Sequence, residues 1–463
     1  MRYRYPAFVG VGIAASAVAA LLGYLQKLPC SSGGAWNTAS GQFSHACYTD
    51  IYPLYYSEQL SAGKVPYYGH PVEYPVLMGW MMEAGAWMVH SVADAYTRGR
   101  DFYYVTILML AVCLVIGVVA TASAAHRETA ATRGDDSQKM GHGSKAALLT
   151  ALSPALILAA YINWDLFAMA LSACGLAAWA ARRPWLAGVL HGLAVATKFY
   201  PLFYFGALFL LCLRAGKLRE FGKALAGALI AWLVINLPVA LTATSGWAEF
   251  YAFSRDRGAD WGSVWYLFEH YNVPGLGNSS LGELNLITSG SVVVACALIA
   301  LLALAAPRRP RLPQLCFLLL ASFLILNKVW SPQYVMWLVP LAVLSRPRTW
   351  AYWLWQLAEV AYFIGIWGYF VYLDADVYGY PVSPGYVGPV TTGWYFVILA
   401  VRLLTAALLG ATMVKDMLQP DRDLVRASGL NDDPAGGVLD GAPDRLVITW
   451  PRLGRQSAVA VTN

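Results

Sequence analysis

Charge is what this sequence has least of. Asp, Glu, Lys and Arg make up 13% of its 463 residues, against 58% hydrophobic residues. A soluble surface of this size needs roughly 25% charged residues, so a soluble protein is excluded. The 18 Trp and 28 Tyr are too many for a disordered chain. There is no Walker loop, no dinucleotide fingerprint and no soluble nucleotide-binding domain. The seven cysteines form no C-x-x-C pair and no zinc spacing. The net charge of +6 is small, and in a membrane chain it reports orientation, not nucleic-acid binding.

What the chain has in quantity is long apolar runs. Residues 7–25 cover about 28 Å as a helix, enough to cross a bilayer core. The run follows Arg2 and Arg4 and reads as a retained first span, not a cleaved signal. Similar runs lie at about 102–122, 223–243, 288–306, 349–372 and 393–414. Three longer ones, 146–181, 185–213 and 312–345, would be about 54, 44 and 51 Å as single helices. Each is interrupted by polar or helix-breaking residues: Asn163-Trp164-Asp165, Lys198-Phe199-Tyr200-Pro201, and Asn327 to Gln333 with Lys328 and Pro332 inside. A charge at the bilayer centre costs about 2.5–3.5 kcal/mol on insertion scales, so each run reads as a helical hairpin with its charge at the surface. The expectation is an all-α polytopic membrane protein with about twelve spans.

Sidedness follows from charge. With the N-terminus inside, 23 of the 32 Lys and Arg fall in inner segments and 8 in outer ones, while Arg402 lies within a span. Reading 76–92 as a span would invert the later loops, so it is expected to lie on the outer surface. A membrane domain over 1–415 is expected to carry two large outer loops, 26–101 and 244–287. The polar segment 416–463 reads as a poorly ordered cytoplasmic tail, and the loop 123–145 is similar. Cys113, Cys174, Cys212, Cys296 and Cys316 sit in apolar runs and read as small buried hydrophobes. Cys30 and Cys47 share the first outer segment and are disulfide candidates, with free thiols the other reading.

All three breaks and both large loops face the same side under this topology. Carboxylates, cations and aromatic rings therefore gather at one membrane surface. Carboxylates can take a proton from a hydroxyl, Lys and Arg can hold a phosphate, and aromatic faces pack on sugar rings. An apolar groove alongside would suit a lipid chain. That combination fits sugar transfer from a lipid-phosphate carrier at the outer leaflet of the plasma membrane. No nucleic acid is expected as a partner.

The ordered motifs carry a resemblance. Asp50 stands shortly after the first span, in Cys47-Tyr48-Thr49-Asp50-Ile51-Tyr52-Pro53, and a Tyr74-Pro75-Val76-Leu77 turn leads into the surface run. With Asn163-Trp164-Asp165-Leu166-Phe167, Gly192 to Pro201, and Asn327 to Tyr334, the chain resembles the GT-C superfamily of polyprenyl-phosphate-sugar glycosyltransferases. Within it, the set looks like glycosyltransferase family 87, over roughly residues 5–415. That family includes mannosyltransferases that extend phosphatidylinositol mannosides. The resemblance implies a GT-C fold with surface helices in the first outer loop. It implies polyprenyl phosphate mannose as donor, a membrane glycolipid as acceptor, inversion at the anomeric carbon, and neither metal nor cofactor. Asp50 would be the general base, near its ordinary pKa. Lys198, Lys328, Arg255 and Arg257 would hold the donor phosphate. Tyr48, Tyr52, Glu73, Asn163, Asp165, Trp261, Gln333 and Tyr334 would contact substrate.

Each of these residues has a plainer reading. Asp50, Asn163 or Asp165 could cap the helices that follow them. Lys198 could snorkel to the interface. Arg255 and Arg257 could pair with Asp256 and Asp260 on an exposed surface. Glu73 and His70 could only shape the loop. Trp261 and Trp265, spaced i, i+4, would share a helical face and could anchor at the interface. Asp374 and Asp376 are weak evidence for a metal. Two competing functions remain: a related transferase using polyprenyl phosphate arabinose, and a transporter or lipid flippase. A transporter would place ionisable groups near the midplane and often shows internal repeats, whereas here, Arg402 apart, the charged residues gather at the ends of spans and no convincing repeat is found.

Overall fold

The computed structural model describes residues 6–38, 40–126, 141–347, 349–427 and 432–448. The central part of the expected loop 123–145 and residues 449–463 lie outside them. The described residues hold helices and loops, with a single isolated bridge between Pro66 and His70. In chain order the helices are α1 (Ala7–Ser31), α2 (Gly41–Ser44), α3 (Ile51–Ser57), α4 (Val76–Met88), α5 (Ala95–Ala125), α6 (His142–Ala151), α7 (Pro154–Ala159), α8 (Asp165–Ala180), α9 (Pro184–Thr197) and α10 (Leu202–Arg214). They continue as α11 (Leu218–Thr242), α12 (Thr244–Asp256), α13 (Val264–His270), α14 (Leu281–Ala305), α15 (Leu312–Leu326), α16 (Val335–Ser345), α17 (Trp350–Tyr372), α18 (Thr392–Leu418) and α19 (Leu424–Ala427).

Among the described residues, six helical segments are long and apolar enough to cross a membrane: α1, α5, α11, α14, the run Trp350–Val377 that begins with α17, and α18. Helices α8, α9, α10 and α15 and the run Pro332–Ser345 are apolar but shorter. The chain is a membrane protein. Helix α4 has 13 residues, about 20 Å, too short to span a bilayer core.

Each long apolar run breaks where its polar residues stand, for local reasons. Pro201 has no N–H for the carbonyl of Thr197, so α9 stops there and Lys198 turns extended, at φ −157° and ψ 144°. Pro332 likewise prevents α15 from running on past Asn327. Between α7 and α8 the turn closes on Asn163, whose Oδ1 accepts from the Asp165 N–H at 3.0 Å. Elsewhere helix starts are written in the sequence: Asp94 caps α5 through the Thr97 N–H, and Ser280 and Glu283 form a capping box on α14.

Small residues bring helices close. Gly188 and Gly192 of α9 lie against the backbone of Ala224 and Ala228 in α11, where a Cβ would collide with carbonyl oxygens. Opposite the breaks, the segment expected to be a poorly ordered tail is docked over 416–427 and 432–448. Asp423 pairs with Arg311 at 2.7 Å, both buried, and Asp444 pairs with Arg214 and Arg309 at 2.7 and 2.9 Å. The Asp433 carboxylate accepts from the Leu312 N–H at the start of α15, and the Trp179 indole donates to the Gly436 carbonyl. Ion pairs with helix-end arginines hold the segment, and Ala435 and Leu439 are buried with it.

Candidate active site

The break between α7 and α8 is where the first loop is fastened. Carbonyls left free at the end of α7 need donors. The Thr49 hydroxyl donates to the Tyr161 and Ile162 carbonyls, at 2.8 and 3.1 Å, and the Asp50 N–H donates to Ile162 at 2.6 Å. From the other side α1 holds the same segment. Buried Lys27 donates to the Tyr48 carbonyl at 2.6 Å, Gln26 donates to the Ala46 carbonyl, and Cys30 is disulfide-bonded to Cys47. Asp50 therefore sits on a stretch of chain pinned at both edges.

Its side chain makes no cap bond to α3, although the residue occupies the cap position. It accepts instead from the Tyr48 hydroxyl, at 2.6 Å. The carboxylate faces a cavity of about 600 Å3. Tyr48, Glu73, Tyr74 and Asn163 line it, with Lys198, Arg257 and Asp260, then Trp261, Ser331, Gln333 and Tyr334, and lastly Trp367 and Phe370 of α17. Burial pushes Asp50 up to about 6, and Glu73 pushes the same way. The Tyr48 bond and Lys198 pull it down without prevailing. The sequence expectation of an ordinary carboxylate is corrected here: the group is a stronger base, still ionised at neutral pH. The nearby carboxylate raises the Tyr48 phenol, so it stays a neutral donor. Burial also raises Glu73, against Lys198 and Arg257.

A second cavity of about 280 Å3 adjoins the first. Its walls are mostly apolar and aromatic: Phe199, Tyr200, Tyr251, Phe323, Val329 and Trp337, with Lys328 among them. The two cavities share Lys198, Arg257, Tyr334 and, from α12, Phe250, Phe253 and Ser254. Two cations thus stand at the junction of a polar chamber and an apolar one. Lys198 pairs with Asp165 at 3.0 Å and lies over the Tyr74 ring at 4.8 Å. Burial opposes its charge, and Asp165, Tyr334 and Asp50 together more than offset this, so Lys198 remains a cation. Arg257 pairs with Asp260 at 3.6 Å.

Not every expected residue reaches the cavities. Asp165 is fully buried and accepts from the Trp337 indole at 3.0 Å. It pairs with Lys198 and lines neither cavity. Arg255 points away, with its side chain 71% exposed and paired to Asp256. Tyr52 stacks on Trp36 at 4.2 Å and does not line the chamber. Lys328 lines only the apolar cavity, and its ammonium donates to the Arg255 carbonyl and Asn285. Trp261 and Trp265 share no helical face, because Ser263 caps α13 and the helix starts only at Val264. Trp261 is 42% exposed at the cavity, while Trp265 is buried and donates to the Leu326 carbonyl. The sequence reading missed Asp260, Ser331, Trp367 and Phe370 as lining residues. The polar pair lay inside motifs already noted, but nothing local marked the two α17 aromatics.

Residues 99–332 match the model of glycosyltransferase family 87. The chain belongs to glycosyltransferase family 87. No curated protein matches it. The matched half of this family-87 glycosyltransferase supplies Asn163, Lys198, Arg257, Asp260 and Ser331. Asp50, Glu73, Gln333, Tyr334 and the α17 aromatics come from outside it and complete the same chamber.

Proposed function

We propose that this glycosyltransferase moves a mannosyl residue from polyprenyl phosphate mannose to a membrane glycolipid, a phosphatidylinositol mannoside or related lipoglycan, with inversion. One observation carries the reading. Lys198 and Arg257 stand where an apolar cavity meets a polar one that ends at Asp50. A lipid-linked sugar phosphate has the same order of parts. Its isoprenoid lies in the apolar cavity, its phosphate between the two cations, and its sugar in the polar chamber.

The chemistry follows from the residues. Asp50 takes the proton of the acceptor hydroxyl as its oxygen bonds to the anomeric carbon. The bond from that carbon to the phosphate oxygen breaks, and its electron pair leaves with the lipid phosphate. Lys198 and Arg257 stabilise the charge on that oxygen. A phosphate leaves as an anion without needing a proton, so the step is written with no metal and no general acid. The mannosyl donor and the glycolipid acceptor rest on the motif resemblance. An extracytoplasmic site in a twelve-span plasma-membrane protein, with both termini cytoplasmic, rests on the loop charges.

The test uses membranes carrying the protein and labelled donors. Polyprenyl phosphate mannose should label a glycolipid, and the product's anomeric configuration should be opposite to the donor's. Labelling from polyprenyl phosphate arabinose alone would replace the sugar and keep the mechanism. Retention of configuration would remove the single-displacement step.

A further inference from the structure

Arg402 is the one cation the sequence places inside a span, and the chemistry above makes no use of it. It is fully buried in α18. Its Nε donates to Glu359 of α17 at 2.9 Å, and the Trp355 indole donates to the other Glu359 oxygen at 3.0 Å. The remaining guanidinium edge points along the chain toward the site. Nη1 donates to the Trp330 carbonyl at 2.9 Å and Nη2 to the Ser331 carbonyl at 3.3 Å. The guanidinium also rests on the Trp330 and Tyr362 rings, 4.3 and 3.9 Å from their centroids. Those carbonyls lie in the break before Pro332, and the Ser331 carbonyl also accepts from the Tyr334 N–H at 3.1 Å.

The held turn leads into the chamber. The Ser331 hydroxyl donates to Asp260 at 3.1 Å, the Asp260 N–H donates to the Lys328 carbonyl at 2.8 Å, and Asp260 faces Arg257. Gly262 packs on the Trp330 carbonyl so closely that any Cβ would collide with it. Ser331, Gln333 and Tyr334 all line the cavity that Asp50 faces. A planar fork suits this task, since one guanidinium meets a carboxylate and two carbonyls at once. A lysine ammonium is a point charge and cannot hold all three in that arrangement.

We infer that Arg402, neutralised by Glu359, is a positioning residue: it fixes the 330–334 turn and, through Ser331 and Asp260, aims Arg257 at the donor phosphate. The inference rests on the donor reading above. It makes no use of Asp50.

The test compares R402K, which keeps charge and bulk, the pair R402M/E359Q, which leaves no buried charge unpaired, and S331A, which cuts the link at the cavity wall. The probe is labelled polyprenyl phosphate mannose, with apparent KM measured separately for donor and acceptor. All three variants should raise the donor KM, by on the order of tenfold to a hundredfold for R402M/E359Q. The acceptor KM and the midpoint of the pH profile should stay put. R402K combined with S331A should cost no more than the worse single change, because both cut one chain of contacts. Donor KM within twofold of the parent in R402K and S331A overturns the inference, as does strict additivity of the two. So does an equal rise in both KM values, which marks general loosening. If R402M/E359Q does not fold, R402K and S331A decide alone. A parent protein that uses no polyprenyl phosphate donor defeats the donor reading instead, so the two failures look different.

Discussion

Replacing Asp50 by Asn keeps the shape of the side chain and removes its basicity, and it should separate catalysis from stability. A general base contributes about 10²–10⁴-fold, so transfer should fall by at least that lower figure while donor affinity is largely kept. The parent's transfer rate should rise with pH and reach half its plateau near 6, where Asp50 titrates. The surroundings give that midpoint two opposite handles. Tyr48→Phe removes a hydrogen bond that favours the ionised form, so it should move the midpoint up. Glu73→Gln removes a neighbouring negative charge, so it should move the midpoint down. Stability follows the reverse logic. Moving the carboxyl from its ordinary 3.8 to about 6 means that the folded protein disfavours the charged form by about 3 kcal/mol. Below the unfolded pKa the group is protonated in both states and contributes nothing. The cost grows between the two values and is full above the folded one. Melting curves of detergent-solubilised parent and Asp50→Asn should therefore coincide near pH 4. Above pH 6 the variant should melt higher, by about a few degrees. Full transfer by the variant would remove Asp50 from the base role. A parent midpoint near 4, with no stability gap at pH 7, would refute the burial argument.

Other outcomes follow from the same contacts. Lys198→Met combined with Asp165→Asn, which leaves no orphaned carboxylate, should raise the donor KM by about tenfold or more, and Arg257→Met should act in the same direction. Lys328→Met should cost less, since protein acceptors already hold that ammonium, and Arg255→Ala should leave donor kinetics within about twofold. Losing the Cys30–Cys47 bond, which closes a separation of 17 residues, should lower stability by about 3 kcal/mol and reduce transfer, because it fastens the segment ahead of Asp50. Alkylation with and without reductant, followed by melting of Cys30→Ser, checks both parts. Arg311→Met strands Asp423 in a buried site and should cost about 3–5 kcal/mol, read as a lower melting temperature, with turnover per folded molecule unchanged.

Some of this was legible before any coordinates, for a physical reason. A lysine or an Asn-Trp-Asp triplet inside an apolar run is expensive, so its presence alone marks a break, and the helices do stop at those places. Asp50 was legible because it follows the first span so closely. Pairings across distance were not legible. Asp165 and Lys198 lie 33 positions apart, and nothing in either motif says that one carboxylate serves the other cation. The acidic residues beyond 416 looked like solvated charge because their arginine partners sit at helix ends far back in the chain. Trp261 and Trp265 misled because the i, i+4 rule holds only inside a helix, and Ser263 delays its start. Arg402 shows the limit most clearly. Its cost in a span was visible, but the burial of Glu359 and the two carbonyls that offset it are tertiary facts. A buried charge announces from sequence that something must compensate it, and only the fold says whether the compensating groups belong to the scaffold or, as here, to the turn that shapes the site.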